Sequence, residues 1–114
     1  TCGGTIEGEG GPAPFKHHVL AEGCEGAVCE RTYRVVRDHE IRILTCSEEA
    51  IARAVGQLYD AGVVAEASAA VPLATLLEAG LAAHPKGPTV LVVSGGNIDG
   101  AVLDELLAAR ANDA

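Results

Sequence analysis

Between residues 48 and 62 the apolar positions fall at helical intervals. Ile51, Val55, Leu58 and Tyr59 follow a 3.6-residue period with polar and charged residues between them. Ser47 precedes the stretch as a good N-cap, Glu48 and Glu49 put negative charge in the first turn, and Gly62 supplies a stop. A second helix is expected over 67–82, with Leu73, Leu76, Leu77 and Leu81 on one side. Pro72 inside it implies a kink or a start nearer Val71. A shorter helix is expected over 31–38, reaching back towards Ala27, with Val28, Val35 and Val36 sharing a face. A final helix opens at Asp99 and runs through Val102, Leu103, Leu106 and Leu107.

Two other stretches carry a different pattern. Residues 89–93 read TVLVV, a continuous run of the kind buried on both faces of a parallel sheet. Residues 40–46 read EIRILTC, which predicts a strand buried on at least one face; Val63 and Val64 make a brief extended link. The order strand, helix, helix, strand, glycine turn, helix predicts an α/β fold with right-handed crossovers. Residues 1–14 hold repeated Gly and Pro and read as a loop or arm, and residues 84–88 as a turn.

Composition narrows the picture. A chain of 114 residues with 48% hydrophobic and 3% aromatic residues suits one small domain of close-packed aliphatics. The net charge of −8 argues against a basic nucleic-acid footprint. No apolar run is long enough to span a bilayer, and the polar, Gly-rich first eleven residues do not read as a signal peptide. The four cysteines are too sparse for a disulfide scaffold, so reduced thiols and a cytoplasmic setting are expected. His17, His18, Cys24 and Cys29 have the residue types of a tetrahedral zinc site. Their H-H-x5-C-x4-C spacing, with adjacent histidines, favours an ordinary surface insertion instead, and no metal is expected.

Ser94, Gly95, Gly96 and Asn97 follow the expected strand at once. Ligands of open α/β sheets bind beyond the carboxyl ends of strands, and paired glycines let the backbone come close to a ligand. The same tetrapeptide also serves as a phosphate turn at a helix N-terminus, or as a tight turn and nothing more.

The wider context carries a resemblance. VLVVSGGNID (residues 90–99) resembles the C-terminal signature of threonine dehydratases and serine racemases, in which a strand runs into S-G-G-N or S-G-A-N. GVVAEASAAVPLATLL (62–77) resembles the same family's V-E-P-A-G-A-x-x-L-A-A-L helix, TCSEEAIARAV (45–55) its V-S-E-E-E-I-x-x-A helix start, and TIEG (5–8) its T-I-A-D-G segment. The landmarks occur in the family's order. The chain departs from the pattern at Glu7, Gly8, Ala67 and Ala69 and in a longer stretch after TIEG, which bears on the substrate class.

The resemblance implies the fold type II architecture of pyridoxal-phosphate (PLP) enzymes, a parallel-rich sheet flanked by helices and incomplete without an upstream portion. Residues 1–30 would form a Gly-rich arm and insertion, and residues 31–114 the C-terminal part of the large, PLP-binding domain. Ser94 matches the serine that faces the pyridine nitrogen of PLP; its plainer reading is a cap for the following helix. Glu66 matches the glutamate beside the ring edge; its plainer reading is a charge on a helix dipole. Gly95 and Gly96 would shape the turn, and Asn97 would form a local Asx turn. The family's Schiff-base lysine lies in an upstream S-F-K motif, and its phosphate cradle is an upstream glycine-rich loop. Phe15 and Lys16 follow Pro14 rather than Ser and lie on the wrong side of TIEG, so the lysine is expected from an upstream segment or partner chain. The implied function is part of a PLP-dependent ammonia-lyase acting on a small hydroxy-amino acid such as serine or threonine. An amino-acid racemase on the same scaffold and a non-catalytic subunit are the alternatives. A homo- or hetero-oligomer with a large apolar interface is expected, because the 89–93 run needs cover.

Overall fold

The computed structural model describes residues 19–25, 28–79 and 87–112. The expected features at TIEG, Phe15, Lys16, His17, His18 and Leu81, and most of the 84–88 turn, lie outside them.

Four α-helices and a 3-10 turn make up the regular structure: the turn at Glu22–Cys24, then α1 (Glu30–Asp38), α2 (Glu48–Asp60), α3 (Ala67–Glu78) and α4 (Gly100–Asn112). The Ser47 hydroxyl accepts from Ala50 N at 3.2 Å, so α2 starts at the expected cap. Its end is a Schellman motif: Val63 N donates to Leu58 O, Gly62 N donates to Tyr59 O, and Gly62 sits at φ 78. The same motif ends α1, where Ile41 N donates to Val36 O and Glu40 N to Arg37 O. There the left-handed position is held by Glu40, at φ 49. α3 begins at Ala67 and continues through Pro72, whose missing N–H leaves the helix short of one internal bond.

The expected α/β fold is not what forms. Among the described residues there is no strand and no sheet, and the fold is helical. β-Branched runs favour a pleated, half-buried surface, but a strand exists only through a paired ladder. Residues 41–47 and 87–99 make no such ladder. Instead of lying buried on two faces, Val90 is 81% exposed and Val92 69%, and Ile43 in the earlier segment is 65% exposed.

The core is an antiparallel pair of α2 and α3, with α4 packed on α2 and the 3-10 turn on α3. Ser47 N donates to the Glu78 carboxylate at 2.7 Å, which ties the start of α2 to the end of α3. The buried face of α3 is led by alanines, with Leu73 of the expected leucine side packed at its edge. Ala67, Ala70 and Ala74 are buried against Ala50, Ile51, Ala54 and Val55 of α2, while Leu77 is left exposed. Small side chains allow two helices to approach closely. Leu106 of α4 and Val55 are the largest fully buried side chains among the described residues. No helix among them is long and apolar enough to cross a membrane.

Candidate functional site

The segment that leads into α3 and the segment that leads into α4 meet at one hydrogen bond. Glu66 N donates to Gly95 O at 3.1 Å, joining the start of α3 to the glycine turn before α4. Glu66 occupies the N-cap position of α3, and its carbonyl accepts from Ala69 N and Ala70 N. Its carboxylate makes no cap bond and lies instead against Gly95. A Cβ built on Gly95 would stand 2.5 Å from Glu66 Oε1 and 2.6 Å from its Cδ. At Gly96 a Cβ would stand 2.9 Å from the Val64 carbonyl oxygen. Each glycine therefore has its own reason: Gly95 makes room for a side chain, and Gly96 for main chain.

Of the residues named from the sequence, Glu66 and Gly95 are thus brought together and are half-buried, while Ser94 is exposed. Ser94 does not cap the following helix. Asp99 does so: its Oδ1 accepts from Ala101 N at 2.8 Å and its carbonyl from Leu103 N. The plainer reading of Ser94 is thereby overturned. Glu66 does sit where a helix dipole favours a negative charge, so that reading of it stands beside the functional one.

A cleft of about 370 Å³ opens beside this junction; Glu66 lines it, and Ser94 and Gly95 do not. Glu66 and Ser68 form one wall, Asn97 and Asp99 a second, and Val19, Leu20, Glu22 and Gly23 a third. The third wall is held by two long-range bonds from backbone to side chain. Leu20 N donates to the Glu48 carboxylate at 2.8 Å, and Gly23 N donates to the Ser68 hydroxyl at 2.9 Å. No local signal in the sequence marks Ser68, Leu20 or Gly23 for this role. Glu22, Glu66 and Asp99 make the cleft acidic, and among the described residues no Lys or Arg lines it.

No family model, curated protein or solved structure matches the chain.

Among the described residues, the thiols of Cys24, Cys29 and Cys46 lie apart from the cleft lining. Cys29 is exposed at the start of α1, where the Thr32 hydroxyl at 3.3 Å stabilises its thiolate and lowers its pKa below the ordinary thiol value. Burial pushes the Cys46 thiol the other way. Among the described residues no group of three or more His, Cys, Asp or Glu is placed to hold a metal.

Proposed function

We propose that this chain contributes cofactor-contacting residues to a PLP-dependent ammonia-lyase acting on a small hydroxy-amino acid, with the Schiff-base lysine supplied from outside residues 1–114. The proposal does not rest on a parallel sheet. The observation that carries it is the junction of Glu66 with Gly95, next to Ser94: the residues that the family resemblance assigns to cofactor binding lie in two segments, before and after α3, that meet.

The side chains here suit one end of the cofactor. A hydroxyl, a carboxylate and a glycine backbone fit the edge of a pyridine ring. The phosphate has no counterpart, since the cleft holds carboxylates and no cation. The outside segment that brings the lysine would also have to hold the phosphate. When bound, PLP supplies the electron withdrawal that lets the amino acid lose its β-hydroxyl. Ser94, being neutral, would not hold a proton on the ring nitrogen as a carboxylate would, which suits elimination over storage of a carbanion. Glu66 would position the ring edge from across Gly95.

The test separates ring recognition from covalent chemistry. Pyridoxine, which keeps the ring and lacks the aldehyde, is titrated into the isotopically labelled chain. Amide signals of residues 66 and 94–97 should shift, and Glu66→Ala should abolish the shifts while the signals of α2 stay in place. PLP followed by borohydride should leave no adduct on Lys16 or Lys86. Unmoved signals at 66 and 94–97, or a ring adduct on either lysine, would defeat the proposal.

A further inference from the structure

We propose that the cleft binds a small organic cation, an alkylammonium ion whose head meets the carboxylates of Glu66 and Asp99 and whose aliphatic body lies on Leu20, Ile98 and Val102. The site is separate from the junction that contacts the cofactor, since Ser94 and Gly95 lie outside the cleft lining. It shares Glu66 with the cofactor reading and does not rest on that reading.

The enclosure is built before any ligand arrives. Its walls come from three stretches of chain far apart in sequence, and its volume of about 370 Å³ falls where small-molecule sites are found, about 300–1,000 Å³. The turn that closes the third side is pinned twice, Leu20 N by the Glu48 carboxylate and Gly23 N by the Ser68 hydroxyl. Leu20, Ile98 and Val102 line the cleft and pack on the core, so they give it an aliphatic floor backed by close-packed side chains.

Charge decides the sign of the occupant. Each wall brings one carboxylate, from Glu66, Asp99 and Glu22. Glu66 is half-buried, and among the described residues its carboxylate has no hydrogen-bond partner. A carboxylate drawn partly out of water and left unpaired gains from a cation that enters beside it. Asp99 uses Oδ1 to cap α4 and keeps Oδ2 for a ligand. The spread of the carboxylates decides the size. Among the described residues no three acidic groups converge as metal ligands would, so the geometry does not suit a compact inorganic ion. Separated carboxylates over an aliphatic floor suit a larger cation that brings apolar surface with its charge.

The experiment titrates n-butylammonium chloride into the isotopically labelled full chain, with sodium chloride, 1-butanol and sodium butyrate as controls. Butylammonium should shift the amide signals of Gly23, Ser68, Ile98 and Val102 and saturate at millimolar concentration. Butanol, which has the same body without the charge, should bind about tenfold more weakly, and butyrate should not bind. Asp99→Asn removes a charge and keeps a good cap for α4, and Glu66→Gln keeps the size of the side chain. Each should weaken butylammonium by about threefold to tenfold while the signals of α2 stay in place. Asp99→Asn should leave the pyridoxine-induced shift at Gly95 as it was; loss of that shift as well would make the two sites one and overturn the proposal. So would shifts matched by sodium chloride or butanol, or an affinity unchanged by both variants. A severalfold gain in Lys16→Gln would mean that the chain's own lysine takes the cleft, and would also overturn it.

Discussion

Replacing Gly95 and Gly96 by alanine should give two unlike results, although both are neighbours in one turn. At Gly95 the new Cβ would lie 2.5 Å from Glu66 Oε1 and 3.0 Å from Oε2. The obstacle is the free end of a side chain, which a rotation of Glu66 removes for about 0.5–1.5 kcal/mol. Gly95 is not in the left-handed region, so alanine also stiffens the unfolded chain and returns about 0.4–1 kcal/mol. The net effect on stability should lie within about 1 kcal/mol of zero. At Gly96 the Cβ would meet the Val64 carbonyl oxygen at 2.9 Å, and main chain has no rotamer to escape into. That overpacking should cost about 1–3 kcal/mol. A double-mutant cycle with Glu66→Ala sharpens the contrast. In that background Gly95→Ala should become neutral or stabilising, while the penalty of Gly96→Ala should stay as it was. Urea unfolding followed by far-ultraviolet circular dichroism measures all five variants. If Gly95→Ala costs the same with and without the Glu66 carboxylate, the two groups are not in contact, and the junction that carries the functional proposal is wrong.

The helix ends offer a matched pair of tests. Gly62→Ala should cost about 1 kcal/mol and Glu40→Gly should be neutral to about 1 kcal/mol stabilising, because both residues hold the left-handed position of a Schellman motif; thermal melts compare them. Ser47→Ala should cost about 1 kcal/mol through loss of the α2 cap, read by the same melts. Ser47 N also holds the Glu78 carboxyl below the ordinary glutamate range, and the folded pKa is therefore the lower one. Its stabilising effect is present above the unfolded pKa and fades as pH falls through the folded value. Glu78→Gln should flatten that part of an acid titration followed by melting temperature, by a small amount because the group is exposed. Among the thiols, Cys29 should react with a disulfide reagent at neutral pH faster than Cys46, since one thiolate is stabilised and the other desolvated; peptide mapping of a timed reaction checks the order, and a faster Cys46 would refute it.

What was readable in the sequence follows the range of each signal. The start of α2 at Ser47, its stop at Gly62 and the opening of α4 at Asp99 depend on contacts within a few residues, and each appears where the local pattern puts it. The runs at 40–46 and 89–93 carry strand composition, but a strand needs partners far away in the chain, and no periodicity supplies them. On α3 the leucines marked the face only in part: Leu73 packs on the core and Leu77 is exposed, while the fully buried positions are alanines that a pattern of large residues does not single out. Glu40 gave no warning of its left-handed backbone, since a turn signal is expected from Gly or Asn. At the site, the sequence pointed to Glu66 and Gly95 separately, and their contact with each other carried no local signal. The wall made by Leu20 and Gly23 was invisible, because Glu48 and Ser68 recruit it through backbone N–H groups that any residue would offer.

The alanine seam between α2 and α3 inverts the usual hazard of a protein core. Where large side chains fill an interior, drift tends to remove volume and leave holes. At Ala50, Ala54, Ala70 and Ala74, all fully buried, only glycine is smaller, so nearly every substitution adds atoms to a space already closed. A saturation library would therefore show these positions tolerating serine or glycine and rejecting valine and leucine, whatever their hydrophobicity. Selection on this pair of helices acts as a ceiling on bulk, and the chain has little freedom to strengthen its core by the common route of filling it.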